Sequence, residues 1–359
     1  MFERLLSREP IRSAEPIPSY LEDPDMRQKR DIETLTKAID EKITESFAGG
    51  VLEGLEGDAR IEKVGEISRD ILLDLVENKY GNPENQDVKL AFHNREHSAL
   101  VASRVERLID ATNAFEPGRI SAAEKAAAVI AAGGHDVEHV FYEADGIRKR
   151  KIGEGEVRSA ARISVVKEAA NNALIKAGKD PIFTIDPDKD IEDINVTIPS
   201  FSAEEGVTQK LLTRETPLTT RFLALADLAD FGMDGPEKLL MSGRQIAIED
   251  NSDIVEAIRT GTVDGREEEY RKRLLGTITF QPFFAQKRKE RFQAELDGIE
   301  PESLKAEIGK EFRYFEGDID QQDTPFGEAM AYLNEEVARV EGLSYDDLLT
   351  YIGIPRKTV

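Results

Sequence analysis

The chain has 359 residues, no cysteine and a formal net charge of −23, from 71 acidic and 48 basic side chains. Disulfides, thiolate ligands and cysteine nucleophiles are excluded, and so negative a surface disfavours polynucleotides and anionic membranes as partners. With 40% hydrophobic and 33% charged residues the chain can bury a core; a small anionic substrate stays open, because bound cations can invert the field inside one pocket.

Taken in order, residues 1–26 carry Pro10, Pro16, Pro18 and Pro24 and are expected to form an extended or disordered arm. Ile32, Leu35, Ile39, Ile43 and Phe47 have helical spacing, stopped by Gly49-Gly50. Ile61, Val64, Ile67, Ile71 and Leu75 form a second stripe, ending before Gly81-Asn82-Pro83. Ala99, Val101, Val105, Leu108 and Ile109 form a third, ahead of Pro117-Gly118. Ser121 with Glu124 reads as a capping box for an alanine-rich helix up to Ala132. A further helix is expected over about 153–177, a loop over 179–187, and a helix after Thr216-Pro217 that Gly232 ends. Two or more helices follow to about 298. Thr324-Pro325 and the Ser344/Asp347 pair start two more.

No alternating strand pattern stands out, so the expected fold is all-α, a multi-helix bundle. The expected division is an arm over 1–26, a catalytic domain over 27–298 and a C-terminal helical extension over 299–359. Nothing resembles a secretory leader, and no apolar run is long enough to span a bilayer. The expectation is a cytoplasmic protein without nucleic-acid polymer or membrane partners, with a homodimer as an option.

The chemistry is concentrated. All four histidines, His93, His97, His135 and His139, lie in two pairs spaced i, i+4. That spacing aims both rings of a pair at one point from a helix or a helix start. Imidazole plus carboxylate, without thiolate, suits divalent first-row metals or magnesium. A structural or surface role for single histidines is the bland alternative; the tight window and the adjacent Asp136 weigh against it. Gly133-Gly134 before His135 suggests close backbone approach or a plain helix end. A fourth ligand is sought elsewhere. Asp227, inside the apolar Leu223–Leu228 run, would be costly to bury without a partner, and a metal removes that cost. Asp230 is the other candidate; either could simply face solvent or cap a turn.

These residues resemble the HD-domain metal-dependent phosphohydrolases, and more closely the catalytic domain of class I 3′,5′-cyclic nucleotide phosphodiesterases. The family's Tyr-His-Asn-x-x-His-Ala compares with Phe92-His93-Asn94-Arg95-Glu96-His97-Ser98. Its His-Asp-x-Asp-His compares with His135-Asp136-Val137-Glu138-His139, and its last metal aspartate, followed by Leu or Ile, with Asp227-Leu228. Its Gln-x-x-Phe compares with Gln281-Pro282-Phe283-Phe284. The order holds over roughly 90–290. Departures are Phe92 for tyrosine, Val140 in place of the glycine after the second histidine motif, and Asp230 where asparagine is common.

The resemblance implies an HD/phosphodiesterase-type bundle with the metal site in a central pocket. It implies two divalent metals. The first, zinc or another transition ion, would sit on His97, His135, Asp136 and Asp227. The second, magnesium or manganese, would share Asp136. A hydroxide between the metals would attack a phosphate ester, most simply a cyclic nucleotide or other small anionic nucleotide-like substrate. His93 would be the general acid. A carboxylate would orient it, with Glu154 and Glu156 nearest by order and Glu156 the preferred catalytic candidate. His139 would contact the phosphate, and Gln281 and Phe284 the base. Other readings are an HD-type di-iron oxygenase, for which spare histidines are few, and a non-catalytic metal or nucleotide sensor. Lys287, Arg288, Lys289 and Arg291 offer positive charge to a substrate or a solvated helix face, and Glu156-Val157-Arg158-Ser159 resembles a Glu-x-x-Ser element of HD proteins.

Overall fold

The computed structural model describes residues 26–81, 90–144, 147–263 and 265–354. Residues 1–25 of the arm expected over 1–26 lie outside them, as does the Asn82-Pro83 stop, and Met26 already begins a helix. Among the described residues the chain is mostly helical. No helix among them is long and apolar enough to cross a membrane.

The first half carries helices α1 (Met26–Ala48), α2 (Gly57–Val76), α3 (Arg95–Phe115), α4 (Ala122–Gly134) and α5 (Glu154–Lys176). A single π-turn, Glu77–Gly81, extends α2. Then come α6 (Pro187–Asn195), α7 (Leu218–Asp227), α8 (Asp230–Asp234), α9 (Pro236–Asp250), α10 (Ser252–Thr260), α11 (Glu267–Thr279) and α12 (Gln281–Glu295). The chain closes with α13 (Glu302–Glu311), α14 (Pro325–Glu341) and α15 (Tyr345–Ile352).

The local signals act where their chemistry says they should. The Ser121 side chain accepts the Glu124 N–H while Glu124 accepts the Ser121 N–H, so two of the backbone donors at the start of α4 are satisfied. Thr324 caps α14 through the Gly327 N–H, and Ser344 caps α15 through that of Asp347. The helix after Thr216 begins one residue later than the sequence suggests, with Pro217 as its cap, and it ends at Asp227 rather than at Gly232.

Among the described residues are two hairpins that the sequence did not announce. Strands β1 (Phe141–Ala144) and β2 (Ile147–Arg150) pair antiparallel with Phe141 opposite Arg150. Strands β3 (Ser200–Ser202) and β4 (Gly206–Thr208) form the second. Both are too short to show a period of two, and tertiary contacts hold them.

The main core joins α1–α5 and α7 through residues such as Ile39, Leu72, Val105, Ile130, Ile163 and Leu225. Residues 299–354 do not make a core of their own. Leu304, Ile308 and Phe312 enter this main cluster, Phe326 and Leu333 pack with Phe231 and Leu239, and Leu348 and Ile352 pack with Ile254 and Leu274.

Candidate metal centre

Three helix ends build the site. Asn94 caps α3: its side-chain oxygen accepts from the Glu96 and His97 N–H groups at 2.9 and 3.1 Å. This cap puts His97 in the first turn and leaves His93 just outside it. Helix α4 stops at Gly134, so His135 is its C-cap and Asp136 follows. Helix α7 stops at Asp227. Because α3, α4 and α7 pack against one another in all three pairings, their ends deliver one buried cluster. Neither histidine pair lies wholly within a helix, contrary to the simplest reading of the spacing. One straddles a helix start and the other a helix end.

The glycines before His135 are explained by close approach. A Cβ on Gly134 would stand 2.8 Å from Ile163 and 2.9 Å from Leu72, and one on Gly133 would stand 2.7 Å from Arg69. The turn after α4 is pinned from three sides. Tyr80 accepts the His139 N–H at 2.7 Å, the Ser159 hydroxyl accepts the Glu138 N–H at 3.1 Å, and the Glu138 carboxylate pairs with Lys79 and with Arg162.

The ring nitrogens and carboxylate oxygens converge as metal ligands do. His135 Nε2 lies 3.1 Å from Asp136 Oδ2 and 3.4 Å from Asp227 Oδ1. His97 Nε2 lies 3.5 and 3.4 Å from the same two oxygens. Adjacent ligand atoms held 2.0–2.2 Å from one ion stand about 3 to 3.5 Å apart. The ligand atoms of His97, His135 and Asp136 all fall within 4.8 Å of one another; Asp227 joins this trio through both imidazoles rather than through Asp136. The two Nε2 atoms are buried without a hydrogen-bond partner, an arrangement costly for polar groups unless something else binds them. His135 Nδ1 donates to the Ala132 carbonyl at 2.7 Å, which leaves the Nε2 lone pair facing the cluster. Donor set, spacing and unpartnered nitrogens therefore fit a divalent ion.

Electrostatics agree. Burial alone would lower the two imidazole pKa values, yet the Asp136 and Asp227 carboxylates outweigh it, raising His97 and raising His135 well above the ordinary value. Burial opposes ionisation of Asp136 and Asp227 too, and the surrounding imidazoles, with Arg150 at Asp136, overcome it and hold both carboxylates well down. Asp230, the other candidate, is committed elsewhere. Arg104, buried, donates to it at 2.5 Å and pairs also with Asp234. Gln209 stands 3.4 Å from Asp227 Oδ2.

Beyond Asp136 lie His93, His139 and two residues the sequence reading missed. His93 Nδ1 is 2.5 Å from Glu249 Oε1, and Glu249 Oε2 accepts the N–H groups of Phe92 and His93 at 3.0 and 3.2 Å. Glu249, not Glu156 or Glu154, is the carboxylate that orients His93. It comes from the last turn of α9, a long way down the chain, and no motif surrounds it. Glu156 instead caps α5, accepting the Gly153 N–H at 2.6 Å, and binds Arg150. Glu154 pairs with Lys151 and Arg158 near the surface. Arg150, on β2, is the second missed residue. It reaches His93 Nε2 at 2.9 Å, Asp136 Oδ1 at 3.0 Å and Glu156 Oε1 at 3.2 Å. His139 is buried between Tyr80 and His93, with Nε2 3.9 Å from Asp136 Oδ1; burial first, then Arg150, push its pKa well down.

The remaining candidates have packing partners. Gln281 is buried against Gly243 and donates to the Thr277 carbonyl at 2.9 Å, while Phe284 packs with Phe280 and the cluster around Phe231 and Leu239. The basic run on α12 is structural: Arg288 is buried on Glu295, Lys287 pairs with Glu290, Arg291 with Glu205, and Lys289 donates to the Phe315 carbonyl. It is neither a solvated face nor a free cationic patch. Comparison with protein-family models, with curated proteins and with solved structures returns no significant match.

Proposed function

We propose that this chain is a metal-dependent hydrolase of small phosphate esters, with its ion on His97, His135, Asp136 and Asp227. The observation that carries the reading is the pair of buried, unpartnered Nε2 atoms facing the same two carboxylate oxygens at 3.1–3.5 Å. An ion held there supplies an activated water and a Lewis acid for phosphoryl oxygens. The protein's own groups do the rest. The Arg150 guanidinium offsets negative charge on the phosphoryl group. His93 is the proton-transfer group towards the leaving oxygen, and Glu249 fixes its ring and tautomer. A guanidinium only donates, so His93 Nε2 is an acceptor while bonded to Arg150; acid catalysis requires that bond to give way and Nε2 to take up a proton from water, which it then passes to the substrate's leaving oxygen.

A nucleobase subsite is not part of the proposal. The Gln281 amide donates to the Thr277 carbonyl and packs against Gly243, and Phe284 is held by its apolar neighbours; what supports the reading is phosphate chemistry alone. The test is turnover of bis(p-nitrophenyl) phosphate and a panel of cyclic and linear nucleotides, with manganese or magnesium supplied, by the natural protein and by Asp136→Ala. Hydrolysis that needs the ion and disappears in the variant supports the proposal. Equal rates in the two proteins end it.

A further inference from the structure

The two oxygens of Asp136 face different cations. Oδ2 faces the nitrogens of His97 and His135 at 3.5 and 3.1 Å. Oδ1 accepts from Arg150 at 3.0 Å, with His139 Nε2 3.9 Å away on the same side. The Arg150 guanidinium is therefore ringed by acceptors: Asp136 Oδ1, Glu156 Oε1 and His93 Nε2. This is the company that a second divalent ion sharing Asp136 would keep, and it is held by a permanently charged side chain that belongs to the protein.

Several contacts hold Arg150 there without help from any ion. The β1–β2 hairpin is closed at its base by Lys151 N–H donating to the Val140 carbonyl at 2.7 Å. The Arg148 guanidinium covers the Phe141 ring at 4.6 Å, and β2 packs against α10. Glu156 is fixed independently by its capping bond to Gly153. The Arg150 side chain is 20% exposed against 6% for Asp136, so it lies on the solvent side of the cluster. Its Nε is buried without a hydrogen-bond partner, which leaves a donor in reserve.

Resting on the reading of the centre as a hydrolase, we propose that Arg150 is its second cation. The protein takes one divalent ion, on the Oδ2 side of Asp136, and the guanidinium takes the Oδ1 side, where it binds the phosphoryl oxygens of the ester. A fork of donors matches two such oxygens better than a point charge does. This reading replaces the two-metal centre implied by the family resemblance with one ion and one arginine.

The experiment is manganese stoichiometry, by equilibrium dialysis and electron paramagnetic resonance, on the full-length natural protein, Arg150→Ala, Arg150→Lys and Asp136→Ala. The expected result is one ion per chain with the spectrum of isolated manganese in the natural protein. Arg150→Lys keeps the positive charge and should do the same. Arg150→Ala should double the stoichiometry and give the spectrum of a spin-coupled pair. Two ions in the natural protein, or no gain in Arg150→Ala, overturns the proposal and leaves the hydrolase reading standing. No ion in the natural protein, or one retained in Asp136→Ala, overturns the metal centre itself, and this inference with it.

Discussion

His93 and Glu249 are 156 positions apart in the chain, and their side chains meet at 2.5 Å. The carboxylate is also the acceptor for two backbone N–H groups beside the histidine. One oxygen thus holds the loop and the other the ring. Burial opposes ionisation of Glu249, and those contacts, His93 foremost, overcome it and hold its pKa down at about 2.

Glu249→Gln cannot serve both contacts, because one of its two terminal atoms becomes a donor. Turnover should fall by about 10–100-fold, the usual effect of losing a residue that orients a site's imidazole. Manganese content should not change, because Glu249 is not among the ligands. Parallel dialysis and rate measurements check this; a parallel loss of metal would show that Glu249 acts on the ion instead.

Asp227 and Asp230 lie at neighbouring helix ends and do different jobs. Asp227→Asn should weaken ion binding strongly. Removing the partner of a buried charge costs about 3–5 kcal/mol, so Arg104→Met should reduce stability on that scale by stranding Asp230. Its metal stoichiometry should stay normal. Urea denaturation and metal analysis on both variants give the comparison, and normal ion binding in Asp227→Asn would remove that residue from the ligand set.

Ion binding should strengthen as pH rises. His97 and His135 have pKa values above the ordinary 6.5, and both must be unprotonated to bind a metal. Protons on the rings therefore compete with the ion below and around those raised values, and the competition fades above them. Asp136 and Asp227 are held below 3.8 and stay ionised throughout, so they add no slope near neutrality. Calorimetry in buffers of different ionisation enthalpy should detect proton release on manganese binding. Affinity that is flat from acid to mildly alkaline pH would contradict the assignment of these two ligands.

Gly134→Ala should destabilise the fold. The added methyl meets Ile163 and Leu72, both fully packed, at 2.8 and 2.9 Å. Overpacking of this kind costs about 1–3 kcal/mol, and the displaced helix end carries His135. Thermal unfolding should shift downward and ion affinity should weaken with it. Unchanged values for both would mean that α4 can slide away from α2 and α5 at no cost.

Much of this protein is determined by local sequence. The helical stripes, the Ser121/Glu124 box and the Thr324 and Ser344 caps act within a few residues, so the chain's own pattern specifies them. The histidine pairs and Asp136 were legible because residue type and close spacing mark them in the chain itself, although most of their partners in space are distant in sequence. Asp227 was legible because an acid in an apolar run demands a partner. Tertiary structure alone decided the rest. Short hairpins carry too few residues to show a period, so β2 and the position of Arg150 were invisible. Glu249 sits in an ordinary helix end, and only the packing of α9 beside the start of α3 gives it His93. Glu156 was near in sequence and lost that role because its own helix cap and Arg150 claim both its oxygens. Proximity along the chain selects the ligands that one turn can present. The orienting carboxylate and the second cation depend on which distant elements pack around them.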